Sequence, residues 1–135
     1  MMDRFIIRGA VLMLFCFIAI AILYERPVAV KKRAAYLPEE SVVGNKEKGR
    51  ELFGMYCVQC HGMSLDGTDK GPSLLHAYYK PDHHGDLSIY LAVYQGVQQH
   101  HWYFGNMPAV TELRPEQVTH IIKYIRDKQR ESGLY

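Results

Sequence analysis

Two stretches of the chain carry most of its apolar patterning. Residues 9–24 contain no charged side chain. Near the C-terminus, apolar residues recur at intervals of three and four positions, at Val118, Ile121, Ile122 and Ile125. This spacing places them on one face of an α-helix. We expect that helix to run from Pro115, a residue favoured in the first turn, to about Arg130.

Two further helices are predicted between these stretches. Asn45 is suited to cap a helix that continues to the cysteine pair after Tyr56. Gly49 lies on one face of this helix with Phe53. Because glycine costs helix propensity, its presence predicts a close crossing with the C-terminal helix. The third helix is expected to start after Asp86 as its cap and to stop at Gly96.

No segment alternates apolar and polar residues convincingly enough to predict a strand. The predicted fold class is therefore all-α. Long loops are expected to join the helices.

The N-terminal apolar run predicts a membrane segment. Residues 5–24, including Arg8, would form a helix of roughly 30 Å, which is enough to cross a bilayer. A cleaved signal peptide is the alternative, since Arg4 and Arg8 form a positive start. The length of the run and the poor cleavage sites favour an uncleaved signal anchor. We therefore expect an anchor at residues 1–24, a flexible tether at 25–44 and one domain at 45–135.

The length of the chain allows one small domain, and its overall charge adds little to this picture. The chain has 135 residues, with 16 Lys and Arg against 14 Asp and Glu, for a net charge of +2. Nothing in this balance argues for nucleic acid as a partner. Histidine is more unusual, because five of the seven lie between His76 and His101.

The run Cys57-Val58-Gln59-Cys60-His61 is the most informative motif. A Cys-x-x-Cys-His sequence is the attachment signature of a c-type haem, in which both thiols form thioethers and the histidine is an axial ligand. A zinc site or a thioredoxin-like pair is the alternative. The zinc site would need a second cysteine pair, and the chain has only Cys16 besides. The redox pair would need a parallel sheet, which is not predicted.

From about Gly44 onwards, the chain resembles class I (mitochondrial-type) cytochromes c. The resemblance covers about 90 residues of the chain and depends on motifs in a fixed order. They are Gly49-x-x-x-Phe53, Cys57 to His61, Gly71-Pro72-Ser73-Leu74, Asn106-Met107-Pro108, Pro115 and Tyr124. It implies a small helical domain around one covalent haem c.

The resemblance also implies roles for single residues. Met107 matches the distal methionine that completes the iron coordination, and a thioether favours ferrous iron. His100 and His101 are rival ligands. Pro72 resembles the proline whose carbonyl supports the proximal histidine, here His61. Trp102 would lie near a haem edge, either as core packing or bonded to a propionate.

The histidine pairs His83-His84 and His100-His101 are a departure from the family pattern. Imidazole suits copper or zinc. Adjacent histidines are expected to point in different directions, however, so exposed loop histidines are the favoured interpretation.

A haem iron with both axial positions filled has no open site for a substrate. One-electron transfer is therefore expected rather than enzymatic catalysis. The leading hypothesis is a membrane-anchored monohaem shuttle of a bacterial respiratory chain, partnered by redox proteins. A dedicated cytochrome subunit of a membrane oxidoreductase complex is the second. A haem enzyme or ligand sensor is the third. Because haem attachment in bacteria takes place outside the cytoplasmic membrane, the resemblance implies a domain on the periplasmic side.

Overall fold

The computed structural model describes residues 8–23, 36–38 and 42–135. The chain divides into two compact units, residues 1–35 and 36–135, and each is considered by itself. In the first unit, residues 8–23 are helical (α1). The second unit contains α2 (Lys46–Tyr56), α3 (Val58–His61), a 3-10 turn (Ala77–Tyr79), α4 (Asp86–Gln95) and α5 (Pro115–Glu131).

The described part of the chain is helical, and the predicted all-α class is confirmed. Its β pairing consists of two isolated bridges, Thr68 with Gly71 and Val97 with Met107. Among residues 8–23, 36–38 and 42–135, none of the helices combines the length and the apolar character needed to cross a membrane.

Parts of the N-terminal predictions lie outside the described residues. This holds for residues 5–7 and 24 of the predicted membrane segment, and for 25–35 and 39–41 of the predicted tether. Within the described part of the tether, Tyr36 stacks on Tyr94 of α4, with ring centroids 5.0 Å apart.

The crossing of α2 and α5 is the main helix contact of the second unit. A Cβ atom on Gly49 would lie 1.9 Å from the carbonyl oxygen of His120 on α5. Because no side chain fits in that space, the glycine is required by the close approach of the two backbones. The predicted reason for Gly49 is confirmed. Asn45 caps α2 as expected, since its side-chain oxygen accepts from the Lys48 amide at 2.8 Å.

The core forms where the apolar faces of these helices meet. Phe53 of α2 and Tyr124 of α5 are buried, with ring centroids 5.5 Å apart. The Tyr124 hydroxyl donates to the carbonyl oxygen of Met63 at 3.0 Å, so the loop after α3 is tied to α5. The predicted stripe of α5 is buried as a whole: Val118, Ile121, Ile122 and Ile125.

The prediction that Asp86 caps α4 is wrong. Gly85 is the capping residue, with extended backbone, and Asp86 is the first residue of the helix. The Asp86 carboxylate accepts instead from Arg126 Nε at 2.8 Å. A long-range ion pair has therefore replaced the local capping bond. The predicted end of α4 at Gly96 is confirmed.

Arg126, near the C-terminal end of α5, is a buried charged residue. Besides Asp86, its guanidinium donates to the carbonyl oxygens of Tyr79 at 2.7 Å and of His84. It also donates to the side-chain oxygen of Gln129 at 2.7 Å. These bonds join α5 to α4 and to the loop that precedes α4.

Candidate functional site

A cavity of about 350 Å³ opens between α2, α4, α5 and the loops that connect them. Its inner wall is apolar and includes Phe53, Ile121 and Ile125. Five of the six residues singled out as cofactor-binding lie on its wall: Cys57, His61, Pro72, Trp102 and Met107. The sixth, Cys60, is half-buried beside it. The loops have therefore brought together residues that are up to 50 positions apart.

The cysteine pair and His61 form one short turn. Helix α2 does not continue to the pair as predicted, because the backbone at Cys57 leaves helical geometry and α3 begins at the next residue. The Cys57 carbonyl oxygen then accepts from the amides of Cys60 at 3.2 Å and of His61 at 3.0 Å. This turn therefore holds the two cysteines and His61 within a single short segment.

The protonation of Cys57 disfavours the thiolate alternatives. Burial, with a smaller effect of Cys60, raises the pKa of the Cys57 thiol to about 12. Redox-active and metal-binding cysteines have lowered pKa values, because the thiolate is the reactive form. Within the described residues, the cysteines belong to no group of three or more potential metal ligands. A thiol that stays neutral in an apolar cavity fits thioether formation better than thiolate chemistry.

His61 is oriented by the loop that contains Pro72. Its Nδ1–H donates to the Pro72 carbonyl oxygen at 2.9 Å, which is the contact that the resemblance implied. Because a carbonyl oxygen only accepts, Nδ1 carries the proton and Nε2 keeps its lone pair. Burial lowers the pKa of His61, and the bond to Pro72 partly offsets this shift. The neutral imidazole therefore presents one nitrogen that can bind iron.

The loop position of Pro72 depends on a close approach to the cysteine turn. A Cβ atom on Gly71 would lie 2.9 Å from the Cys60 carbonyl oxygen. The Thr68 hydroxyl donates to that same oxygen at 2.8 Å, and Thr68 pairs with Gly71 across an isolated bridge. Gly71-Pro72 therefore packs directly against the backbone of the cysteine motif.

Met107 is held on the cavity wall by its backbone. Its amide donates to the Val97 carbonyl oxygen at 2.9 Å, and the Val97 amide donates to the Met107 carbonyl oxygen at 3.0 Å. Gly96 has φ +69°, and a Cβ there would lie 2.5 Å from the Met107 carbonyl oxygen. The end of α4 is thus shaped to let the Met107 loop pass. The other methionines near the motif, Met55 and Met63, have exposed side chains.

The rival ligands and Trp102 also lie on the cavity wall. His100 and His101 both border the cavity, and His100 Nδ1 donates to the Gln98 carbonyl oxygen at 2.9 Å. The indole N–H of Trp102 donates to the Tyr79 hydroxyl at 3.2 Å. Trp102 therefore has a hydrogen-bond partner within the protein. Burial raises the pKa of that partner, Tyr79.

Sequence reasoning missed the polar pair Arg126 and Gln129. Gln129 is fully buried and borders the cavity, and its amide donates to the Leu74 carbonyl oxygen at 2.8 Å. The signal was available in the helical spacing. Arg126 and Gln129 follow Ile122 and Ile125 by four positions, so both continue the buried stripe of α5.

The residues present fit a covalent haem. The apolar wall suits a porphyrin, the Cys57 thiol is neutral, and a neutral imidazole and a thioether border the same cavity. These are the donors typical of cytochromes c.

Comparison with known proteins agrees with this fit. The family model described as Cytochrome c matches residues 46–129. A cytochrome bc1 complex cytochrome c subunit of Corynebacterium efficiens is 36% identical over 50 residues, which are 36% of this chain and 14% of that protein. The Cbb3-type cytochrome c oxidase subunit CcoP of Rhodobacter capsulatus is 30% identical over 109 residues, which are 75% of this chain and 36% of that protein. No solved structure gives a significant match.

The chain spans only 14% and 36% of the lengths of these two relatives. Residues 46–129, which the family model matches, include the cysteine motif, His61 and Met107. The predicted cofactor, covalently bound haem c, is confirmed by these matches. The chain belongs to the cytochrome c family.

Proposed function

We propose that this chain is a class I monohaem cytochrome that carries single electrons in a respiratory chain, with iron bound by His61 and Met107. The observation that carries the proposal is the arrangement of the cavity wall. His61 is fixed by the Pro72 carbonyl at 2.9 Å, and Met107 is fixed by its two backbone bonds to Val97. Both residues border the same apolar cavity as Cys57.

Each group has a defined task in this proposal. Haem iron supplies a one-electron ferric/ferrous couple. Cys57 and Cys60 would hold the porphyrin covalently, and His61 Nε2 and the Met107 sulfur would bind the iron. Phe53, Ile121 and Ile125 exclude water, which lowers the local polarity and favours the less charged reduced form. With both residues bound to the iron, no position would be left for a substrate.

Potentiometric titration of the purified, haem-loaded protein tests this function. We expect a reversible transition that follows a one-electron Nernst curve, with no spectral change when carbon monoxide is added to the reduced protein. Ready binding of carbon monoxide would contradict the closed site and favour the enzyme or ligand-sensor alternative.

A role as a subunit of a membrane oxidoreductase complex is the second candidate. The observation that favours it is that both relatives are named as complex subunits. Detergent extraction followed by native sizing and haem staining separates the two. A small haem-stained band supports the shuttle, whereas comigration with a large complex supports the subunit.

We further propose that residues 1–24 anchor the protein in the cytoplasmic membrane, with the haem domain on the periplasmic side. The uncharged run at residues 9–24 supports this proposal, together with the site of haem attachment that the family resemblance implies. Mass spectrometry of the purified protein tests it. A mature N-terminus between Ile22 and Ala35 would identify the segment as a cleaved signal peptide.

A further inference from the structure

Three histidines outside the proposed iron ligands form a compact group. His83 and His84 lie in the loop before α4, and His101 lies in the loop after it. Each offers one ring nitrogen, and these nitrogens all lie within 4.8 Å of one another. The expectation that the adjacent pair points apart is wrong, because the rings of His83 and His84 are 4.7 Å apart and both face His101 at 5.7 and 5.6 Å.

The local backbone fixes this group in place. The amides of His83 and His84 both donate to the Lys80 carbonyl oxygen, at 3.0 and 2.7 Å. The ring of Tyr78 stacks on His101 with centroids 4.3 Å apart. A shared turn therefore presents two imidazoles, and an aromatic contact holds the third against them.

One hydrogen bond of His84 determines which of its ring nitrogens keeps a lone pair. Its Nδ1 bonds to the Tyr78 carbonyl oxygen and so carries the proton. Its Nε2 is then free to bind a cation. A bond from the second ring nitrogen to a carbonyl is the arrangement that orients histidine ligands in metal sites. The group contains no carboxylate, so its donors are three imidazoles.

We propose that His83, His84 and His101 bind one divalent transition-metal ion of the class that prefers imidazole, Zn²⁺ or Cu²⁺. Three histidines with an open fourth position are a known ligand set for zinc, and Cu²⁺ binds nitrogen ligands more tightly than Zn²⁺. His83 is exposed, so an ion can enter from solvent. His84 and His101 also border the haem cavity, so the ion would lie at its edge.

Isothermal titration of the haem-loaded protein with zinc chloride is the first test. We expect a single Zn²⁺ ion per chain, and no binding of Mg²⁺, which prefers oxygen ligands. His83→Ala and His101→Ala should each weaken Zn²⁺ binding by at least about tenfold, since even the loss of an outer-shell partner costs that much. His120→Gln is the matched control, because His120 lies on α5 and accepts from the Asn45 amide, a bond that glutamine can keep.

Electron paramagnetic resonance with Cu²⁺ is the second test and identifies the ligands. The copper signal should show coupling to nitrogen in the unsubstituted protein and lose part of it in His83→Ala. In a competition experiment, Cu²⁺ should displace Zn²⁺, because nitrogen ligands bind Cu²⁺ more tightly.

The haem absorption spectrum of each variant shows whether the domain has folded. His83 is exposed, so its replacement should not disturb the packing of the core. Absence of Zn²⁺ and Cu²⁺ binding by the unsubstituted protein would overturn the proposal. So would equal affinities in the unsubstituted protein and in both His83→Ala and His101→Ala. Electron transfer is independent of either outcome.

Discussion

At the scale of single residues, the site depends on backbone contacts as much as on the ligands themselves. The Pro72 carbonyl fixes the tautomer of His61 through a 2.9 Å bond. On the other side, the amide and carbonyl of Met107 are both engaged by Val97. Gly96 makes the two bonds between Met107 and Val97 possible. It has a positive φ, and its missing Cβ leaves room for the backbone of the Met107 loop.

Gly96→Ala should displace Met107. The new Cβ would lie 2.5 Å from the Met107 carbonyl oxygen, and the left-handed backbone adds about 1–2 kcal/mol of strain. We expect a lower thermal midpoint and a weaker sulfur-to-iron charge-transfer band in the ferric protein.

Gly105→Ala is the matched control for Gly96→Ala. Gly105 also has a positive φ, but a Cβ there meets nothing within 4 Å. It should therefore lower the stability and leave the charge-transfer band intact. Equal loss of the band in both variants would show that the close contact at Gly96 is not what places Met107.

Single residues also show where sequence reasoning ends. The roles predicted for the motif, for Pro72 and for Met107 depend on order along the chain, and the structure places these residues around one cavity. Asp86 was misjudged because the local rule for a capping residue competes with an ion pair to Arg126, 40 positions away. Local rules contain no information on such distant partners.

At the scale of elements, the crossing of α2 and α5 determines where the cavity opens. Both helices contribute to its wall, α2 through Phe53 and α5 through Ile121 and Ile125. The spacing of apolar residues predicted α5, the capping residue Asn45 predicted the start of α2, and the cost of Gly49 in a helix predicted their close crossing. The break at Cys57 was not predicted, since no proline or glycine marks it.

Gly49→Ala should separate the two helices. The added Cβ would meet the His120 backbone at 1.9 Å, so α5 must move, and overpacking of this kind costs about 1–3 kcal/mol. Gly54→Ala, in the same helix, is the matched control. Its Cβ would meet only the flexible end of Met63 at 3.2 Å, and alanine favours the helix by about 0.8–1.0 kcal/mol.

Chemical denaturation of the two haem-loaded variants measures this difference. We expect a lower free energy of unfolding for Gly49→Ala and an unchanged or higher one for Gly54→Ala. If both variants are as stable as the unsubstituted protein, the contact at Gly49 does not limit the helix crossing.

Arg126→Ala should loosen α5 from α4 and from the loop before it. The substitution leaves the His84 carbonyl oxygen without its guanidinium donor and the Tyr79 carbonyl oxygen with only the Gln129 amide at 3.2 Å. An unsatisfied buried acceptor costs about 1–3 kcal/mol. We expect a loss of at least about 2 kcal/mol in the free energy of unfolding.

Asp86→Asn separates the ion pair from these carbonyl contacts. Asp86 is largely exposed, so its carboxylate contributes less than the buried bonds of Arg126. The variant should therefore lose less than Arg126→Ala. An equal loss in the two variants would mean that the ion pair, rather than the carbonyl contacts, holds α5 in place.

At the scale of the whole molecule, the second unit is organised around a cavity that protein side chains do not fill. A small domain has a limited core, and a covalently held apolar cofactor adds to it. The cavity therefore separates the features that the sequence predicts from those that it does not. The helices follow from local periodicity, whereas the loop contacts, such as Trp102 with Tyr79 and the three-histidine group, depend on how chain segments meet around that cavity.

The most direct test of the central claim is the spectrum of Met107→Ala beside that of the unsubstituted protein. If Met107 is the sixth ligand, the ferric unsubstituted protein shows the weak sulfur-to-iron charge-transfer band near the red edge of the visible spectrum. Its reduced form should not bind carbon monoxide. The variant should lose the band and admit carbon monoxide to the ferrous iron. A variant that keeps the unsubstituted spectrum would contradict the account and assign the ligand elsewhere, with His100 and His101 as the residues to replace next.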